Sequence, residues 1–135
     1  MESVTVSRQV DADPETVRAA MQDVGEFMRA AGFDEVVVEG DRIELTNRLG
    51  LVEIELTLEV VEREGADLAY VQRDGIFREM WTEYRVESAD GGTAVEATTE
   101  FELAAKFVGP IFDSTVVKRQ RRKELTAQFD SLAEL

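Results

Sequence analysis

The stretch that decides the fold is residues 101–135, FELAAKFVGPIFDSTVVKRQRRKELTAQFDSLAEL. A strand ends near Leu103, and the longest helical pattern in the chain follows it. An amphipathic helix of this length must bury its apolar stripe against something. Everything upstream reads as short strands alternating apolar and polar residues, so those strands are the available partner. The expected architecture is a curved sheet wrapped around one C-terminal helix.

Upstream of that helix the period is two. In AVEATTEFEL, Val95, Ala97, Thr99, Phe101 and Leu103 point one way and the glutamates the other. REMWTEYRVES places Met80, Thr82, Tyr84 and Val86 on one face and Trp81 on the other, with Asp90-Gly91-Gly92-Thr93 as the hairpin turn between the two strands. ADLAYVQRD gives Leu68, Tyr70 and Gln72; LVEIELTLEVVE gives Ile54, Leu56, Leu58 and Val60. Glu53, Glu55 and Glu59 follow from the strand period alone and read as a solvated face rather than as paired catalytic carboxylates. FDEVVVEG and DRIELTN form a hairpin around Gly40-Asp41, with Ile43 and Leu45 inward. Before them, DADPETV opens a helix with Asp13 as cap and Pro14 at the first position. Gly25 interrupts that helical region, giving two short helices or one bent at Gly25, and Gly32 ends it. The first strand carries Val4, Val6, Arg8 and Val10 on one face. The order is strand, two short helices, six antiparallel strands and a long helix, an α+β design in one domain spanning 1–135.

Composition narrows the chemistry. There is no cysteine and no histidine, so disulfides, thiolate and imidazole ligands, and a serine triad are excluded. No cofactor or metal is expected. The chain has 29 acids against 15 bases, and only three of the bases are lysines, Lys106, Lys118 and Lys123. A net charge of −14 argues against nucleic acid. Acid-rich, lysine-poor composition resembles that of salt-accumulating halophiles, in which charge repulsion is screened within a few ångströms. No apolar run reaches the length of a membrane span, and MESVTVSRQV is neither a signal nor a transit peptide. These features read as a soluble cytoplasmic protein without an integral membrane segment.

Several pieces together resemble the START-like helix-grip superfamily, the polyketide cyclase/dehydrase and lipid-transport group. A first strand runs into DADPETVRAAMQD, like that family's opening to its first helix. A DGGT turn joins the last two strands, and the final helix opens at Gly109-Pro110 and ends at Phe129–Leu132. The resemblance covers essentially the whole chain and implies a seven-stranded curved antiparallel sheet gripping the long helix over a hydrophobic cavity. It implies a small hydrophobic or amphipathic ligand, such as a lipid, quinone or polyketide. Some members are cyclases or dehydratases, so enzymatic activity stays open, as does a protein-interaction module with a collapsed cavity. The turn Glu39-Gly40-Asp41-Arg42 is shorter than the glycine-rich loop of the plant members, which weakens any analogy to phosphate binding.

On that inner face a few polar groups stand among apolar ones, as a ligand cavity requires. By parity they are Arg8, Asn47, Gln72, Thr82, Tyr84 and Thr99, with Leu56, Leu58, Tyr70, Met80 and Phe101 as apolar wall. The first part of the helical region adds Phe107, Val108, Ile111, Phe112 and Thr115. A wheel begun at Phe107 turns Lys118, Arg119 and Arg122 toward the sheet and Gln120, Arg121 and Lys123 away from it. Three explanations of this basic block compete, one of them an exposed basic turn that docks an acidic partner or a membrane surface. In the other two, the long side chains reach the sheet's open edge and pair with its acids, or Arg119 and Arg122 meet an anionic head group. The salt-adapted reading has a direct check. The thermal midpoint is expected to rise as KCl is taken from dilute to molar, and maximal stability in dilute buffer rejects it.

Overall fold

Period-two alternation produces strands wherever one face can be buried. The computed structural model describes residues 1–107 and 113–135. Its elements are β1 (Glu2–Val10), α1 (Pro14–Gln22), α2 (Val24–Arg29), β2 (Glu35–Glu39), β3 (Arg42–Leu49), β4 (Val52–Val60), β5 (Leu68–Asp74), β6 (Phe77–Ala89) and β7 (Gly92–Leu103). A 3-10 turn (Ala105–Phe107) and α3 (Ser114–Ala133) complete them. The strands form one antiparallel sheet in the order β1-β7-β6-β5-β4-β3-β2. The parity assigned from sequence places the core. Ile43, Leu58, Tyr70, Tyr84, Ala97 and Phe101 are buried on the face that meets α3. Trp81 lies on the opposite face, with the Arg63 guanidinium 5.0 Å from its ring centroid.

Local chemistry sets the helix ends. The Asp13 carboxylate accepts from Thr16 N at 2.8 Å. That bond to the Thr16 backbone is the main cause holding the Asp13 carboxyl below its ordinary value. The break between α1 and α2 falls at Asp23 rather than at Gly25, which lies inside α2. Asp23 has φ −78 and ψ 71, outside helical geometry. α3 begins at Ser114, capped by Asp113 through Val116 N at 3.0 Å. The expected opening at Gly109-Pro110 lies outside the described residues, and the wheel begun at Phe107 therefore started ahead of the real helix.

The basic block now has a structural partner. β1 is an edge strand, and edge strands expose unpaired backbone groups. Arg122 Nη1 donates to the Thr5 carbonyl at 3.3 Å, and Lys118 lies 3.6 Å from Glu2. Arg8, from the same strand, pairs with Asp130 of α3. Side chains of α3 thus lace the helix to this edge. Because the Asp113 cap supplies the first hydrogen bond of α3, Asp113→Ala is expected to lower unfolding free energy by about 1 kcal/mol, with Asp113→Asn nearly neutral. Urea denaturation of the three proteins checks this.

Candidate functional site

A helix laid across a concave sheet touches it along a line, and space remains where side chains are short. Here that space is a cavity of about 40 Å³ between α3 and strands β3 to β6. Its walls are almost wholly apolar, with Leu45, Ile54, Leu58, Ile76 and Met80 among them. Its polar side is made by Asn47, Tyr70, Gln120, Arg121 and Glu124.

That polar side is a connected network. Arg121 and Glu124 are 6% and 3% exposed. Their three-residue spacing puts both on one helix face, and Arg121 Nη1 donates to Glu124 Oε1 at 2.7 Å. The other Glu124 oxygen accepts from Asn47 Nδ2 and from Gln120 Nε2, each at 3.0 Å. Arg121 Nη2 donates to the Tyr70 hydroxyl and to Thr82 Oγ1, both at 3.1 Å. The threonines then order themselves. Thr99 Oγ1 spends its single hydrogen on the Trp81 carbonyl at 3.0 Å, so in the 2.9 Å contact between the two hydroxyls Thr82 is the donor. Among the described residues, Arg121 Nε is the buried side-chain polar atom without a hydrogen-bond partner.

The electrostatics keep this network charged where it must be. Burial pushes the Arg121 guanidinium down, but Tyr70, Glu124 and Tyr84 outweigh it and carry it above its ordinary value. Burial, reinforced by Tyr70, raises the Tyr84 hydroxyl well above the usual phenol range. Tyr84 is therefore a neutral donor, and it gives its hydrogen to Gln128 Oε1 at 2.6 Å. Gln128 Nε2 in turn donates to the Phe27 carbonyl at 3.1 Å. Buried behind the lining residues and tied to Gln128, Tyr84 braces the wall behind the cavity.

The structure sorts the residues expected from sequence. Asn47, Leu56, Leu58, Tyr70 and Met80 line the cavity. Thr82, Thr99, Tyr84 and Phe101 stand behind it, buried. Gln72 has a positioning role. Its amide accepts from Phe77 N at 3.1 Å and donates to Phe77 O at 2.7 Å, closing the turn that carries Ile76 and Phe77 into the wall. Gly75 in that turn has φ 152, and a Cβ there would collide with the Leu56 and Gln72 side chains. Arg8 shares the parity of the inner face, but at the sheet edge it is exposed and paired with Asp130, away from the cavity. Thr115, Arg119 and Arg122 are exposed. For the two arginines this corrects the expectation: the guanidinium turned to the sheet belongs to Arg121, which the wheel had turned away. Val108, Ile111 and Phe112 lie outside the described residues, and Phe107 ends the 3-10 turn. Arg121 and Glu124 were missed as site residues, and Gln128 as the buried anchor on the same helix face. Their signal was the spacing 117, 121, 124, 125, 128, 129, 132, visible once the stripe is phased on Val117, Leu125, Phe129 and Leu132.

A sheet curled round one helix with a cavity between them is the helix-grip fold of START-like proteins. The family model for polyketide cyclase / dehydrase and lipid transport matches residues 1–135, and the chain belongs to that family. Solved structures agree on the fold. A Thermus thermophilus protein, TTHA0849, is similar at TM-score 0.76 and 18% identity, over 98% of this chain and 95% of that one. The Zhui aromatase/cyclase from Streptomyces sp. R1128 is similar at TM-score 0.74 and 20% identity, over 98% and 93%. A START superfamily protein from Mycobacterium smegmatis is similar at TM-score 0.65 and 14% identity, over 98% and 94%. A search of curated proteins finds no match. No helix among the described residues is long and apolar enough to cross a membrane.

The buried ion pair makes a sharp energetic prediction. Glu124→Leu strands the Arg121 charge and is expected to cost about 3–5 kcal/mol, whereas Arg121→Met with Glu124→Leu recovers most of that loss. Denaturant titrations of both variants read it.

Proposed function

We propose that this protein binds a small hydrophobic molecule between the sheet and α3, with the molecule's polar end toward Arg121 and Tyr70. The observation that carries the reading is an apolar cavity with one buried polar side whose guanidinium keeps an unused donor. Membership in a family described by cyclase, dehydrase and lipid-transport activities points the same way. Within that range the geometry favours a carrier over an enzyme. Glu124, the carboxylate at the cavity, accepts from three side chains, and such a group orients its neighbours more readily than it moves protons.

The volume bears on a second reading. At about 40 Å³ the cavity has room for a few water molecules, against roughly 300 Å³ or more for a drug-sized ligand. A ligand must therefore part the walls on entering. If the walls do not part, the chain reads instead as an interaction module with a collapsed cavity. Titration with the neutral fluorophore N-phenyl-1-naphthylamine separates the two. Saturable one-to-one binding is expected, weakened at least fivefold by Leu56→Trp at the cavity and unchanged by Val37→Trp on exposed β2. Absence of saturable binding, or equal binding by the Leu56 variant, selects the interaction module.

A further inference from the structure

The charge state of the cavity's polar side narrows what it can hold. Among the described lining residues, Arg121 and Glu124 are the charged ones. They are paired at 2.7 Å with side chains 7% and 4% exposed, so the site presents a dipole and no net charge. A carboxylate entering the cavity would leave water and meet Arg121 and Glu124 together. Attraction to one is offset by repulsion from the other, while the cost of desolvating the anion stays in full.

Within the ion pair, the spare hydrogen-bonding capacity lies on Arg121. Glu124 already accepts at both oxygens from Arg121, Asn47 and Gln120. Arg121 uses three of its five N–H donors, so one Nη1–H and Nε–H remain, and Nε is buried and unpartnered. The Tyr70 hydroxyl already accepts from Arg121 and offers a ligand no second strong acceptor. A ligand group meeting donors needs an acceptor oxygen. An ammonium group would find the amide oxygens of Asn47 and Gln120 but no net negative charge to offset its own desolvation.

We propose that the cavity selects an uncharged ligand that presents a carbonyl-type acceptor oxygen to Arg121, and that it discriminates against carboxylates and sulfonates of the same shape. This inference rests on the ligand-binding reading above and adds the chemical class. It also reassigns the cationic character of α3. Arg122 and Lys118 serve the β1 edge, so the basic block does not bring net positive charge to the cavity.

Two nearly isosteric probes test it, 2-acetylnaphthalene as the ketone and 2-naphthoate as the anion, titrated calorimetrically in about 1 M KCl. There the field of the acidic surface is screened to about 3 Å. Wild type is expected to bind the ketone at least tenfold more tightly than the anion. Glu124→Gln leaves Arg121 uncompensated and is expected to shift that ratio at least tenfold toward the anion. Glu39→Gln, which removes the same charge from the exposed end of β2, should leave the ratio alone. Equal wild-type affinities, or equal shifts in the two variants, overturn the proposal while ligand binding stands. Binding of neither probe removes the ligand-binding reading and this proposal with it. Should Glu124→Gln fail to fold, the doubly apolar variant Arg121→Met with Glu124→Leu decides. In it the ketone's advantage over 2-ethylnaphthalene is expected to vanish, and persistence of that advantage overturns the role of Arg121.

Discussion

The polar side chains that α3 buries against the sheet are held by specific partners, since a buried polar group without one is costly. Its buried stripe holds Arg121, Glu124 and Gln128 among Val117, Leu125, Phe129 and Leu132. The apolar members would tolerate sliding, since hydrophobic contact is non-directional. The polar members do not. Moving α3 by one turn, about 5.4 Å, would take Arg121 from Tyr70 and Thr82, Glu124 from Asn47, and Gln128 from Tyr84. Each would then be buried without its bonds, at a cost comparable to a large part of the stability of a small domain. The position of the helix on the sheet follows from these pairings.

The two ends of α3 are consequently unlike. Toward the C-terminus the interface is solid. Phe27, Tyr84 and Phe129 pack ring to ring, at 5.1 Å between the first two and 6.4 Å between the last two, and Gln128 ties Tyr84 to the end of α2. Around Val117, Gln120 and Arg121 the same helix bounds the cavity. A well-packed anchor at one end permits incomplete packing at the other. Edge contacts add to the anchoring, since Arg122, Lys118 and Asp130 all reach β1.

Most of the fold was legible in the sequence, and the reason is physical. Strand parity is fixed by a period of two, so a run such as Val95, Ala97, Thr99, Phe101 and Leu103 declares its buried face without reference to anything distant. The helix phase was less legible. Counting Phe107, Val108, Ile111, Phe112 and Thr115 into the stripe drew its centre toward Arg119 and Arg122 and left Arg121 at its margin, because the helix begins only at Ser114, after its Asp113 cap. The site itself depends on pairings across long stretches of chain. Asn47 meets Glu124 across 77 residues and Tyr70 meets Arg121 across 51. Nothing local distinguishes Arg121 from Arg119 or Arg122 except a phase anchored on Val117 and Leu125. Gln72 shows the converse case. Parity turned it inward correctly, but only the structure shows its amide occupied by the Phe77 backbone.

The difference between Gln128 and Arg121 separates scaffold from site. Both are buried, both come from the same face of α3, and both fix the helix on the sheet. Gln128 does so with a neutral amide whose oxygen and nitrogen are both engaged by protein groups, so a fixed helix position needs no charge. Arg121 is the costlier solution, because a buried ion pair adds little stability over an apolar pair of similar volume. It also leaves Nε–H buried and unpartnered on a residue that lines the cavity. A group that stabilises little, borders the cavity and keeps an unused donor is better explained by what enters that cavity than by the fold that surrounds it.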